Sequence, residues 1–332
     1  MAHEVETMAY VGEKPWHGLG VEVPDGISTD DLLNEAGLNW EIIKSPLIAT
    51  NPVHQNMDSH FALVRDTDKY IMGICGKQYV PFQNKEVFKF FDRFVKAGKL
   101  VLNTAGALDH GRVVWGLAKV AEVNIGQDRI DGFLLLSQPH IWGKAMTVMF
   151  TAVRVVCMNT LTTALAGPGQ RFSVPHIRAF DSDLITSISV AMGMAEERMT
   201  EYGASASFLA SKRAESTDVL NYVSELFDPE LFKLLQVEYA NKLGGIKTLK
   251  QLSYNNLRSI GHDVYNSVYN SPGSGLESAK GTWWGAFNGV TYVVDHHIGR
   301  IRDLALNSAW FGKSAVIKRK ALELAITYAK VA

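Results

Sequence analysis

The chain has 332 residues, 47% of them apolar and 20% charged, with 33 Lys and Arg set against 34 Asp and Glu. That balance excludes a disordered chain and, with a pI near 6.8, a strongly basic protein that coats nucleic acid, while leaving room for a local cationic groove. Two cysteines, Cys75 and Cys157, can build neither a disulfide framework nor a zinc site between them.

Apolar runs such as Phe133 to Leu136 are far too short for a bilayer span, so no membrane role is expected. The opening MAHEVETMAYVGEKPW lacks both a basic and an apolar leader region, so no secretory signal is expected. A reducing cytoplasm is the expected location.

Residues 1–39 read as a loop-rich N-terminal segment, since Gly12, Pro15, Gly18, Gly20, Pro24 and Gly26 follow in quick succession. Within it Ser28-Thr29-Asp30 caps a short helix, Asp31 to Ala36, stopped by Gly37. A β-rich core domain is expected over residues 40–180. Trp40–Thr50 is β-branched and apolar, and Phe61–Arg65 with Tyr70–Cys75 flanks the polar turn Asp66-Thr67-Asp68-Lys69 of a hairpin. Asn84 is expected to cap an amphipathic helix with Val87, Phe88, Phe91, Phe94 and Val95 at helical spacing and Gly98 as its stop. Leu100–Leu108 and Arg112–Val120 form a second hairpin around Asp109-His110-Gly111, and Ile130–Leu136 and Ala145–Val156 continue as strands.

From residue 181 to 332 the texture becomes helical, as a region packed on the core. Helices are expected over Asp181–Ser211, from Ser216-Thr217-Asp218 to Asp228-Pro229, and over Glu230–Lys242, Trp283–His297 and Ala315–Ala329, with Asn270–Gly275 a flexible loop. Strands first and helices second argue an α+β fold, a mainly antiparallel sheet with one packed helix in the N-terminal half and a helical C-terminal half.

No phosphate-binding loop and no dinucleotide fingerprint is present, and no cofactor is expected. Asp295-His296-His297 is the densest titratable cluster. Adjacent residues on a helix point about 100° apart, so one buried and one solvated histidine is preferred to a metal site shared with His262-Asp263. His17 in a glycine-rich loop has both a functional and a structural reading. Cys157 beside Arg154 lacks a nearby base and reads as a small strand-end residue, and Asn159 and Thr160 read as the cap of a helix near Leu161. Lys318-Arg319-Lys320, in a second basic patch with Arg300, Arg302 and Lys313, reads as a solvated helix face.

The charge distribution is more informative. From Gly132 to Phe180 there is no Asp or Glu, while Lys144, Arg154, Arg171 and Arg178 fall inside that stretch with His140 and His176. A strip of one sign favours an anionic partner. Cations interleaved with an exposed ring suit single-stranded nucleic acid, and Trp142, in a loop, is the surface candidate, whereas Phe150 is expected to point inward. Burial accounts for scarce acids over Ala145–Val156 equally well.

MAHEVETMAYVGEKPWHGLG at the start, RVVCMNTLTTAL in the centre and GTWWGAFNGVTYVVDHH near the end resemble the phage/plasmid-like proteins of domain-of-unknown-function family 932. The resemblance implies a part in mobile-element DNA metabolism, or in conflict with a bacterial host. It also suggests distant kinship to single-strand annealing proteins of DNA recombination, whose core is a sheet with a helix across it. The expectation is a non-enzymatic cytoplasmic protein that binds single-stranded DNA through Lys144, Arg154, Arg171, Arg178 and Trp142. Strand annealing by a homo-oligomer, with no catalytic residue and no metal, extends that expectation. The alternatives are an inhibitor protein acting on a host factor and a metal-dependent hydrolase using His262, His296 or His297.

Overall fold

The computed structural model describes residues 5–12, 19–52, 54–154, 159–160, 171–177, 186, 195–230, 232–233, 259–297 and 312–332, with Arg154 and Arg171 described in their main chain alone. The chain opens with β1 (Val5–Val11), β2 (Val21–Val23) and α1 (Thr29–Glu35), then β3 (Ile42–Ala49), β4 (Gln55–Arg65), β5 (Ile71–Gly76) and α2 (Asn84–Lys96). Next come β6 (Val101–Leu108), β7 (Val113–Ile125), β8 (Asp128–Pro139), β9 (Ala145–Arg154), β10 (Asn159–Thr160) and β11 (Arg171–Pro175). The described helices of the second half are α3 (Ala195–Ser211), α4 (Ser216–Phe227), α5 (Ser259–Asn270), α6 (Trp283–His296) and α7 (Lys313–Ala329).

The fold is α+β. A large sheet runs in the order β10-β9-β8-β7-β6-β1-β2, antiparallel except where β2 lies parallel to β1. β11 also pairs with β9, beside Ala145–Met149, while β10 takes the far end beside Val153 and Arg154. A separate antiparallel sheet of three strands runs β3-β4-β5. β1 and β2 lie in the segment read as loop-rich, because the glycines and prolines fall around the strands and not within them. Asn159 and Thr160, expected as a helix cap, pair instead with β9. Much of the helices expected over Asp181–Ser211 and Glu230–Lys242 lies outside the described residues, as do His17, Cys157 and Arg178.

Local chemistry explains the turns. Ser28 Oγ accepts the Asp31 N–H at 3.1 Å to start α1, with Asp30 and Asp31 against the positive end of the helix dipole. The β6–β7 turn holds Asp109, His110 and Gly111 all at positive φ, a conformation open to Asn, Asp, His and above all Gly. Gly111 is doubly required, because a Cβ there would lie 2.9 Å from the Arg65 guanidinium and 3.2 Å from Trp40. The Arg65 guanidinium forks onto Asp68 at 2.6 and 2.9 Å, reaches Glu6 of β1 at 3.0 Å and lies over Trp40, tying the small sheet to the large one. Asn84 does not spend its side chain on a cap. It turns inward, donating to the Leu38 carbonyl at 3.0 Å and meeting His140, while Glu86 takes the Gln83 N–H at the helix start.

One core lies between the sheets. Leu32 and Leu33 of α1, Val87, Phe88 and Phe91 of α2, and Ile42, Leu63, Met72 and Cys75 of the small sheet pack on Ala105, Val114, Ala118, Leu134 and Leu136 of the large one. Gly116 lets Phe88 and Phe91 lie against β7, since a Cβ would meet Phe88 at 3.0 Å. A second core joins Ile125, Ile130, Phe150 and Ala152, at the other end of the large sheet, to the helices around Trp283, Trp284, Phe287 and Tyr222. Asp128, fully buried where β8 begins, accepts the Trp284 indole N–H at 2.9 Å and the Ser278 hydroxyl at 3.3 Å.

Lys318, expected on a solvated face, is completely buried and bonded to Asp295 at 2.7 Å. The α7 stripe of Ser314, Lys318, Ala321, Leu322 and Ala325 is the face that packs inward, so the lysine at its centre is buried with its partner. The Asn270–Gly275 loop is a run of turns held by the Ser274 N–H on Ser271 O and the Ser274 hydroxyl on Tyr269 O.

Candidate nucleic-acid interface

Three segments meet at one end of the large sheet. The β8–β9 turn carries His140-Ile141-Trp142-Gly143-Lys144. It closes with the Lys144 N–H on Ile141 O at 3.1 Å and Gly143 at φ +80°. The segment leaving β5, Gly76-Lys77-Gln78-Tyr79, turns with the Tyr79 N–H on Gly76 O. The end of β11 brings Pro175-His176-Ile177, tied to that segment by the Val80 N–H on His176 O at 2.8 Å. Between them lies a groove of about 410 Å³ lined by Lys77, Gln78, Tyr79, Trp142, Lys144 and Ile177, among others.

The groove is cationic and has a ring on its rim. Lys77 and Lys144 are both exposed, and no Asp or Glu is among the described lining residues. Trp142 is 56% exposed, yet it is held: its ring packs on the backbone of Gly76 and meets the His60 ring edge-on at 5.8 Å. The Lys77 loop is fixed from behind by Lys44, whose ammonium donates to Lys77 O at 2.6 Å and Tyr79 O at 3.0 Å. Fixed rings and flanking ammonium groups can take up a flat, anionic ligand with little loss of side-chain entropy.

Behind the groove the two histidines of the acid-free stretch are core. His176 Nδ1 faces the Val80 carbonyl at 3.1 Å and must carry the proton, which leaves Nε2 to accept from Gln138 at 3.4 Å. Asn84 has given its N–H to Leu38, so its Oδ1 accepts from His140 Nε2 at 3.0 Å. Burial, reinforced by His176 beside it, pushes the His140 pKa down to about 3. Burial likewise lowers His176 to about 4, against the raising effect of the carbonyls of Val80 and Pro139. Both are neutral at pH 7 and add nothing to the positive charge of the stretch.

The predicted residues therefore part company. Trp142 and Lys144 share the groove. Arg154 ends β9, its main chain opposite Ile130 and Asn159, and nine residues of strand from Ala145 place it about 30 Å away. Arg171 begins β11 opposite Met149, four residues before Pro175, and Arg178 lies outside the described residues. Phe133 and Phe150 are buried, as expected of the latter. Lys77 and Gln78 were absent from the sequence expectations; a Gly-Lys-Gln turn at a strand end was the available signal.

His296 is half-buried and His297 exposed, both against the Tyr292 ring. With His262 they form no group of three metal-ligating side chains among the described residues.

A model of a domain of unknown function (DUF932) matches residues 71–311. The chain belongs to that family, an α+β protein whose matched span takes in β5, both ends of the groove and the Trp283-Trp284 helix. No curated protein and no solved structure matches it. No helix among the described residues is long and apolar enough to cross a membrane.

Proposed function

We propose that this protein binds single-stranded nucleic acid, DNA in the first instance, in the groove between the β8–β9 turn, the end of β5 and the end of β11. One observation carries the reading: an exposed indole, braced by Gly76 and His60, shares one groove with two exposed lysines and no acid among the described lining residues. A base stacks on the Trp142 ring while Lys77 and Lys144 meet the flanking phosphates, which is the division of labour that sequence-tolerant single-strand binding requires. Neutral overall charge is compatible with this, because the field that counts is local. Annealing of complementary strands needs no catalytic group, and we propose it, as part of mobile-element DNA metabolism in a bacterial cytoplasm, as the extension of this reading.

The test is anisotropy of a labelled oligodeoxynucleotide titrated with protein across a salt series. Trp142→Ala is expected to weaken binding by about 1–3 kcal/mol, the usual cost of one stacked base. Lys77→Ala and Lys144→Ala are each expected to reduce the slope of log K against log salt by about 0.7. Wild-type protein that leaves the oligonucleotide free at low salt ends the proposal. Unchanged binding by all three variants moves the site elsewhere, toward Arg154 and Arg171.

A further inference from the structure

A second groove, of about 680 Å³, opens on the face of the large sheet turned away from the core between the sheets. Thr104 of β6 lines it and stands opposite Tyr10 of β1 and Leu117 of β7, which pack in the cluster on that outer face. The length of β8 from Asp131, on its wall, to Pro139 sets it about 25 Å from the Trp142 groove. Its charges divide into two groups. Lys119 bridges Glu122 at 2.7 Å and Asp131 at 3.1 Å, and Arg129 bridges the same two acids at 3.3 and 2.9 Å, closing a neutral ring. Glu22 and Asp25 on the β2 side are exposed, and neither meets a cation among the described residues. Glu22 stands opposite Tyr10 as Thr104 does, so the two flank that ring about 10 Å apart.

We infer that this groove binds an aliphatic cation with two or more ammonium groups, a polyamine. Thr104 is only 8% exposed, yet its hydroxyl has no hydrogen-bond partner. A buried hydroxyl left alone destabilises the fold, and one that lines a groove is open to a ligand that donates. The charge asks for the same ligand. Four acids, Glu22, Asp25, Glu122 and Asp131, against two bases, Lys119 and Arg129, leave two negative charges for two ammonium groups to answer. Between the polar groups the lining is Val11, Val101, Phe133 and Val153, and Val101 is 48% exposed. Methylenes cover such surface while their ammonium ends stay at the wet rim, as the stem and head of a lysine do.

Other ligands fit less well. Calcium and magnesium need oxygen ligands in close array, and no three His, Cys, Asp or Glu side chains are placed to hold an ion among the described residues. A phosphate would face the two unanswered carboxylates and find Lys119 and Arg129 already bridged. The two grooves therefore take ligands of opposite sign, and this one needs nothing bound in the other.

Isothermal titration calorimetry of the full chain with spermidine is the test. One saturable site is expected, weakened by salt and not displaced by an equal concentration of magnesium. Glu22→Gln/Asp25→Asn, at two exposed positions, should weaken spermidine binding at least tenfold. Thr104→Val keeps the shape and removes the hydroxyl. It should weaken binding a few fold while raising the unfolding temperature, because an unpartnered buried group is gone; a hydroxyl with a purely structural part would leave binding unmoved. Butylamine, which keeps the methylenes of putrescine and drops one ammonium group, should bind at least tenfold more weakly than putrescine. Wild-type protein with no saturable spermidine site overturns the inference, as does displacement by magnesium at equal concentration, which would mean a diffuse acidic surface. Spermidine binding that survives unchanged in both variants overturns it as well.

Discussion

The two sheets carry equally apolar strands and meet different surroundings. In β8 the run Phe133-Leu134-Leu135-Leu136 is buried on both sides: Leu134 and Leu136 face the core between the sheets, and Leu135 joins Trp115, Met149 and Tyr10 in a cluster on the opposite face. In β5 the run Ile71-Met72-Gly73-Ile74-Cys75 looks much the same in sequence, but only Met72 and Cys75 are buried. A continuous apolar strand therefore does not by itself report that both of its faces are covered. In β8 both faces of the strand are covered, whereas in β5 Ile71 and Ile74 stay exposed.

The sharpest way to break that comparison is to truncate one residue from each strand. Leu135→Ala should lower the unfolding free energy by about 2–5 kcal/mol, the cost of a cavity in a packed core. Ile71→Ala should stay within about 0.5 kcal/mol of wild type. Urea unfolding followed by circular dichroism reads both, and similar losses would mean that the outer face of β5 is covered within the chain itself.

The junction of the sheets is tested by acid. His140 and His176 are neutral in the folded protein, with pKa values lowered to about 3 and about 4 by burial, while in the unfolded chain they take up protons near the ordinary value of about 6.5. Above that pH both states are neutral at these sites and stability is complete. As pH falls from about 6.5 toward 4, protons bind the unfolded chain first. Stability then drops by up to about 1.4 kcal/mol per pH unit for each histidine. The urea midpoint should already fall between pH 6.5 and 5, before most carboxylates titrate, and His140→Gln should make that fall shallower. A flat midpoint there would mean that the imidazoles reach solvent and that the turn behind Trp142 is open.

Turn chemistry made the hairpins at Asp66–Lys69 and Asp109–Gly111 legible in the sequence, and helical spacing of Val87, Phe88 and Phe91 did the same for α2. Several elements were hidden for physical reasons. β1 and β2 sit among Gly12, Gly20 and Pro24, whose punctuation reads as loop. The α5 helix sequence, SIGHDVYNSVYN, buries Val264 and Val268 among small and polar residues, too thin an apolar stripe to announce a helix. The groove was half legible: Trp142 and Lys144 are neighbours in sequence, but Lys77 joins them only because β11 brings the β5 exit alongside. Conversely, counting His140 and His176 as part of a cationic strip overlooked that strand ends can turn inward as readily as outward. Burial, unlike charge, is decided by the partner strand.

The smallest expected effect is also the most discriminating for the groove. Gly76 lies in ordinary backbone, so its lack of a Cβ is not needed for conformation; it is needed because a Cβ would stand 3.3 Å from the Trp142 ring. Gly76→Ala should leave stability unchanged within about 0.5 kcal/mol, since the exposed indole can shift by a few tenths of an ångström. The shift displaces the stacking surface relative to Lys77 and Lys144, so oligonucleotide affinity should fall by only a few fold, with the salt slope untouched. A variant that binds as wild type would show that the ring need not rest on the sheet. One that lost affinity as completely as Trp142→Ala would show that the small sheet's end, more than the ring's bare exposure, makes the platform.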